Sequence, residues 1–132
     1  MIYSIFPKHS ATVYSRYPTM NTSRDEILEL NKIVSSSAVA GLFNTKILLD
    51  FELVEHSASN NALGIVPTKY DLTLYTANIE TPIDSFTYQV SDVLHPWSSG
   101  LGRSTHTPQT NIGVSWSHPS SSNSSWPSPG YP

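Results

Sequence analysis

Apolar side chains fall on every second position in several short stretches of this chain. Pro, Gly, Asn or Ser interrupts each stretch before it reaches the length of an ordinary helix. A period of two puts alternate side chains on opposite faces of an extended backbone, so short antiparallel strands joined by loops are the natural outcome. The clearest run is Thr45 to Val54, where Ile47, Leu49, Phe51 and Leu53 share one face. Lys46, Asp50 and Glu52 lie mainly on the other face, with Leu48 and Val54. This run is expected to supply the core through the first set. Met1 to Tyr17 alternates on either side of Pro7 and reads as one interrupted strand or two short ones, with the Pro at an edge. Lys69 to Ala77 and Phe86 to Val90 read as neighbouring antiparallel strands around Thr81-Pro82, and Ile112 to Trp116 as a further short one.

Asp25 to Val34 fits two elements. Ser23-Arg24-Asp25-Glu26 has the form of a capping box, and Ile27, Leu30 and Val34 recur at helical spacing. Leu28, Leu30 and Val34 equally share one face of a strand with Lys32. Asn60-Asn61 and Gly64 are expected to form a loop.

Composition supports the β reading. The 132-residue chain is 38% hydrophobic and only 13% charged, and its abundant Thr, Tyr, Val and Ile favour pleated over helical structure. Its length is that of one domain. The absence of Cys removes disulfides, thiolate zinc sites and Cys nucleophiles. The net charge is −3 and the basic residues are scattered, so nucleic acid is not an expected partner. No apolar run is long enough to span a bilayer, so membrane insertion is not expected.

Catalytic chemistry is hard to assemble. Gly113-Val114-Ser115-Trp116-Ser117 begins like a nucleophile elbow but lacks the closing Gly and the following helix. His9, His56, His95, His106 and His118 form no pair at metal-ligand spacing. Asp50 and Glu52 share a strand face, which suits a solvated surface better than a carboxylate dyad. No enzyme activity, metal or cofactor is expected. Asn21-Thr22-Ser23 and Asn123-Ser124-Ser125 match the glycosylation sequon. Trp97, Trp116 and Trp126 are the candidate contacts to a glycan or protein partner, because aromatic rings bury large areas at low entropy cost. The competing reading for Trp97 and Trp116 is that they fill the core beneath a long loop.

The order of segments resembles a family of virion structural proteins of tailed bacteriophages, especially contractile-tailed marine and cyanobacterial ones. It is also similar to the disaggregatase-type, carbohydrate-binding-module-like β-sandwich of bacterial surface proteins. Five places carry the resemblance: Ser10-Ala11-Thr12-Val13-Tyr14; the segment from Asn21 to Leu30; Thr45-Lys46-Ile47-Leu48-Leu49-Asp50-Phe51; Asp71-Leu72-Thr73-Leu74-Tyr75; and Trp97 to Arg103 followed by Gly113-Val114-Ser115-Trp116. Ser23 stands where that family often has Gly, and Asp50 where it commonly has a basic residue.

The resemblance implies an all-β fold, an antiparallel β-sandwich or jelly roll over residues 1–118 that is incomplete at its C-terminal edge. It makes Glu26 to Val34 a strand and has the sandwich continue past Pro132, while composition makes residues 119–132 a Ser/Pro-rich extended tail or linker. The function it implies is that of a structural component of a virion, in the neck, tail, baseplate or a fibre. Other virion proteins, and copies of the same chain, would be its partners. A carbohydrate-binding module or host-receptor-binding fibre domain is the alternative, with a host surface glycan as ligand.

Overall fold

The computed structural model describes residues 4–34, 42–64, 66, 69–75, 87–121 and 124–128. The chain divides into two compact units, one made of residues 1–51 and 93–132, the other of residues 52–92.

The first unit is built on antiparallel β structure. Strand β1 spans His9–Tyr14, β2 Lys32–Val34 and β3 Leu42–Asp50. They form one sheet in the order β1-β3-β2, with β3 in the centre and antiparallel to both neighbours. Ala11 stands opposite Leu48, Val13 opposite Lys46 and His9 opposite Asp50. Since side chains alternate along each strand, this register puts Ala11, Val13, Lys46, Leu48 and Asp50 on one face. That face carries the core: Ala11, Val13 and Leu48 pack with Val114 and Trp126, and Val93, Trp97 and Trp116 border them.

Strand β3 therefore lies the other way up from the sequence expectation. Leu48 is buried on the core face, whereas Ile47, Leu49 and Phe51 are half-buried and Leu53 is exposed. Burial of a lysine stem and pairing of a carboxylate reconcile two charged residues with this face. The Lys46 ammonium sits over an indole, and Asp50 meets His9 at the strand end, Oδ2 to Nδ1 at 3.1 Å.

The opposite face of β1, Thr12 and Tyr14, is also buried, although no second sheet covers it among the described residues. The irregular segment 20–31 does so instead. Thr22 Oγ1 donates to the Thr12 carbonyl at 2.6 Å, and the Glu29 amide donates to Thr12 Oγ1 at 3.0 Å. Tyr14 OH donates to Glu29 Oε2 at 2.9 Å. Threonine suits this edge because its hydroxyl both donates and accepts.

Neither reading of 25–34 describes the whole segment. No helix forms there, and only Lys32–Val34 becomes strand. Within 22–31 the Glu29 and Asn31 amides donate to the side chains of Thr12 and Thr45, the latter at 2.8 Å, and the Arg24 amide donates to the Gly102 carbonyl at 3.0 Å. Residues 4–7 are not strand, and of the expected strand at 112–116 there is one isolated bridge, Ile112 to Ser121.

The second unit contains α1, Val54–Leu63, where a strand end and a loop were expected. Gly64 ends it in the left-handed conformation (φ 64°, ψ 27°), and its amide reaches the carbonyls of Asn60 and Asn61. Glycine adopts that conformation without a Cβ penalty and commonly stops helices. Asn60 Nδ2 lies 3.0 Å from His56 Nε2 one turn earlier, and His56 meets the Tyr70 ring edge-on at 6.2 Å. Residues 69–75 and 87–90 are not strands, and so the expected hairpin is not formed by the described residues; 76–86 lie outside them.

Candidate functional site

The three tryptophans all belong to the first unit, at its core face. Trp126 lies in the segment expected to be an extended tail, yet it is 5% exposed and part of the core. Its Nε1 donates to the Ser115 carbonyl at 3.0 Å, and His95 meets the ring edge-on at 5.9 Å. A buried indole needs such a partner for its N–H. Trp97 and Trp116 are half-buried against the same cluster. The Lys46 ammonium sits 4.9 Å from the centre of the Trp116 ring, and loss of hydration pushes its pKa below the ordinary lysine value. The chain thus presents two half-exposed indoles, one with a cation alongside, and keeps the third inside.

The loops that carry these rings are fixed by one residue that the sequence marks only as part of a sequon and of the segment opening at it. Asn21 is completely buried. Its Nδ2 donates to the Val114 carbonyl at 2.8 Å and to Ser23 Oγ at 3.0 Å, and its Oδ1 accepts from the Gly102 amide at 2.9 Å. Its own amide donates to the Thr110 carbonyl at 3.0 Å. Gly100, Gly102 and Gly113 surround it so closely that a Cβ on any of them would overlap Asn21 or the backbone beside it. Glycine is required here for close approach, and at Gly113 also for φ of 106°. A lone Asn and three separated glycines give no local signal of this arrangement. The sequon at Asn21 is shut in the folded chain, because the nitrogen that would take a glycan makes two hydrogen bonds in the interior.

The side chains considered for chemistry are engaged structurally. Ser115 is buried, and its Oγ lies 3.4 Å from His118 Nδ1 and accepts from the His118 amide at 3.2 Å, a turn that holds the Trp116 corner. Among the described residues no carboxylate orients His118, so the pair does not extend to a triad. Asp50 faces His9 rather than Glu52, which lies past the end of β3 in the second unit. His106 Nδ1 is 3.4 Å from Thr110 Oγ1. Among the described residues no cluster of His and acidic side chains is placed to hold a metal ion, and no helix is long and apolar enough to cross a membrane.

The two units differ in surface chemistry. Residues 52–92 hold Lys69 alone against Glu52, Glu55, Asp71, Glu80, Asp84 and Asp92, a net of −5; since the chain totals −3, the first unit carries +2. Large apolar side chains of the second unit lie open to solvent, among them Val54, Tyr70, Leu72 and Tyr75, the last 90% exposed. Comparison with protein-family models, with curated proteins and with solved structures finds no match.

Proposed function

We propose that this chain is a structural component of a bacteriophage virion, acting through protein–protein contacts in the neck, tail, baseplate or a fibre, and not as an enzyme. The observation that carries the reading is the apolar surface of residues 52–92. Soluble monomers rarely leave so many large apolar side chains in water, and such surface is ordinarily covered by a partner. The resemblance of the segment order to tailed-phage structural proteins names the kind of assembly. On the same resemblance the antiparallel sheet is one part of a β-sandwich or jelly roll. Mass spectrometry of density-purified particles tests the reading. The chain is expected at a fixed stoichiometry to the major capsid protein, and its loss on purification would reject the assignment.

A second reading rests on Trp97 and Trp116, whose half-exposed rings suit stacking on a sugar face in a carbohydrate-binding or receptor-binding domain. Trp126 has no part in it, because its ring belongs to the core. On a glycan array, binding by the wild-type chain that is lost in Trp97→Ala and Trp116→Ala supports this reading. Absent binding, or binding indifferent to both changes, rejects it.

A further inference from the structure

We propose that Asn21 accepts N-linked oligosaccharide in the unfolded chain only, and that a sugar attached there keeps the first unit from folding. The first two residues of the sequon Asn21-Thr22-Ser23 are shut away, Asn21 completely and Thr22 to 1% exposure. Both protons of Asn21 Nδ2 are spent, one on the Val114 carbonyl at 2.8 Å and one on Ser23 Oγ at 3.0 Å. Oligosaccharyl transfer breaks the bond between a sugar's anomeric carbon and a lipid pyrophosphate and forms a C–N bond to Nδ2. One Nδ2 proton is lost and the lipid pyrophosphate leaves. The product keeps a single N–H where the fold uses two. It also lacks room. One carbon built on Gly113 would already stand 2.7 Å from Nδ2, so a pyranose bonded to that nitrogen has to displace the loops that carry Gly100 and Gly113.

Chain order leaves Asn21 open long enough to be modified. The partners that bury it follow by 81 residues at Gly102 and by 93 at Val114. At about 5–20 residues per second they are synthesised roughly 4–19 s after it. Strands β1 to β3 are complete by Asp50, but the residues that enclose the Asn21 amide, Gly100, Gly102, Gly113 and Val114, all come later. A transferase acting on the nascent chain therefore meets an accessible sequon. The folded protein is then the product of a compartment without such a transferase, whether or not it is a virion component.

The test uses the full chain carrying Ser125→Ala, a change at an exposed position that removes the second sequon. Behind a cleavable leader it is sent to a bacterial periplasm and, separately, into a eukaryotic secretory pathway. The periplasmic form should be unmodified and show a cooperative urea transition by tryptophan fluorescence, since all three tryptophans lie in the first unit. The secretory form should carry sugar on Asn21, located by peptide mass spectrometry, and should be protease-sensitive with no such transition. Trimming its glycan to one N-acetylglucosamine and diluting it from urea, under conditions in which the periplasmic form refolds, should not restore the transition. If Ser125→Ala prevents folding in the periplasm, the wild-type chain replaces it and mass spectrometry reads Asn21 apart from Asn123. A folded chain with sugar on Asn21 overturns the proposal, and so does a secretory form whose Asn21 is unmodified.

Discussion

Asn21 and Val114 are joined by a buried hydrogen bond, amide nitrogen to carbonyl oxygen at 2.8 Å, across 93 positions of sequence. That bond and the one from Gly102 tie the segment after β1 to the loops that carry Trp97 and Trp116. The first unit is closed here by a polar clasp as well as by its apolar cluster.

Removing the clasp should therefore be expensive. Asn21→Ala strands the Val114 carbonyl and the Gly102 amide, at about 1–3 kcal/mol for each buried group left without a partner. Urea unfolding followed by tryptophan fluorescence should show a total loss of roughly 2–6 kcal/mol on that basis. Asn21→Asp keeps the shape but turns a donor into an acceptor facing the Val114 carbonyl. Its deficit should shrink as the pH falls, because burial and that carbonyl favour the protonated acid, which can donate.

The glycines divide by cause. Gly102→Ala and Gly100→Ala drive a Cβ into the Asn21 backbone or side chain, and a cost of about 1–3 kcal/mol or more is expected from overpacking. Gly64→Ala meets nothing within 4 Å and pays only for the left-handed backbone, about 1 kcal/mol. Since Gly64 belongs to the other unit, its substitution should lower helical circular dichroism and leave the tryptophan unfolding midpoint where it was.

Alkaline stability should depend on Tyr14. Burial first, and then the Glu29 carboxylate that accepts its hydroxyl, push its pKa well above the usual tyrosine value. A group with a raised folded pKa contributes fully below its unfolded pKa of about 10, and that contribution is lost as pH rises through the folded value. The loss approaches ~1.4 kcal/mol per pH unit for one proton. Tyr14→Phe should be less stable at neutral pH by about 0.5–1.5 kcal/mol for the hydrogen bond. Its chemical-denaturation midpoint should then fall less than the wild-type midpoint above pH 10.

The tryptophans should separate in stability measurements. Trp126→Ala empties a core position and should cost about 3–5 kcal/mol. Trp126→Phe keeps most of the volume and leaves the Ser115 carbonyl without its indole donor, for about 1–3 kcal/mol. Trp116→Ala removes a half-buried ring and should cost less than Trp126→Ala in the same thermal or urea scan. The opposite order would mean that Trp126 is not a core residue in solution.

Period-two alternation located β1 and β3 because their hydrogen-bonding partners demand extended backbone there. It puts the wrong face of β3 inward, since charged residues are expected to point at water. Lys46 instead places its ammonium over the Trp116 ring, and Asp50 is satisfied by His9, neither of which is visible locally. The segment 25–34 offered helical and strand periodicity in equal measure, and tertiary hydrogen bonds to Thr12 and Thr45 gave most of it neither form. Helix α1 escaped notice for lack of a capping side chain at Leu53 and of a clear apolar stripe. Trp126 and Asn21 were illegible for one reason. Their partners, Ser115, Gly102 and Val114, are brought to them only by the complete fold.

The most direct test of the assembly role is cryo-electron microscopy of the purified particle. The chain should occupy a symmetric position in the neck, tail, baseplate or a fibre, with Leu72, Tyr75 and neighbouring apolar side chains of residues 52–92 covered by an adjacent subunit. Particles that lack the chain, or hold it with those side chains facing solvent, would contradict the proposal.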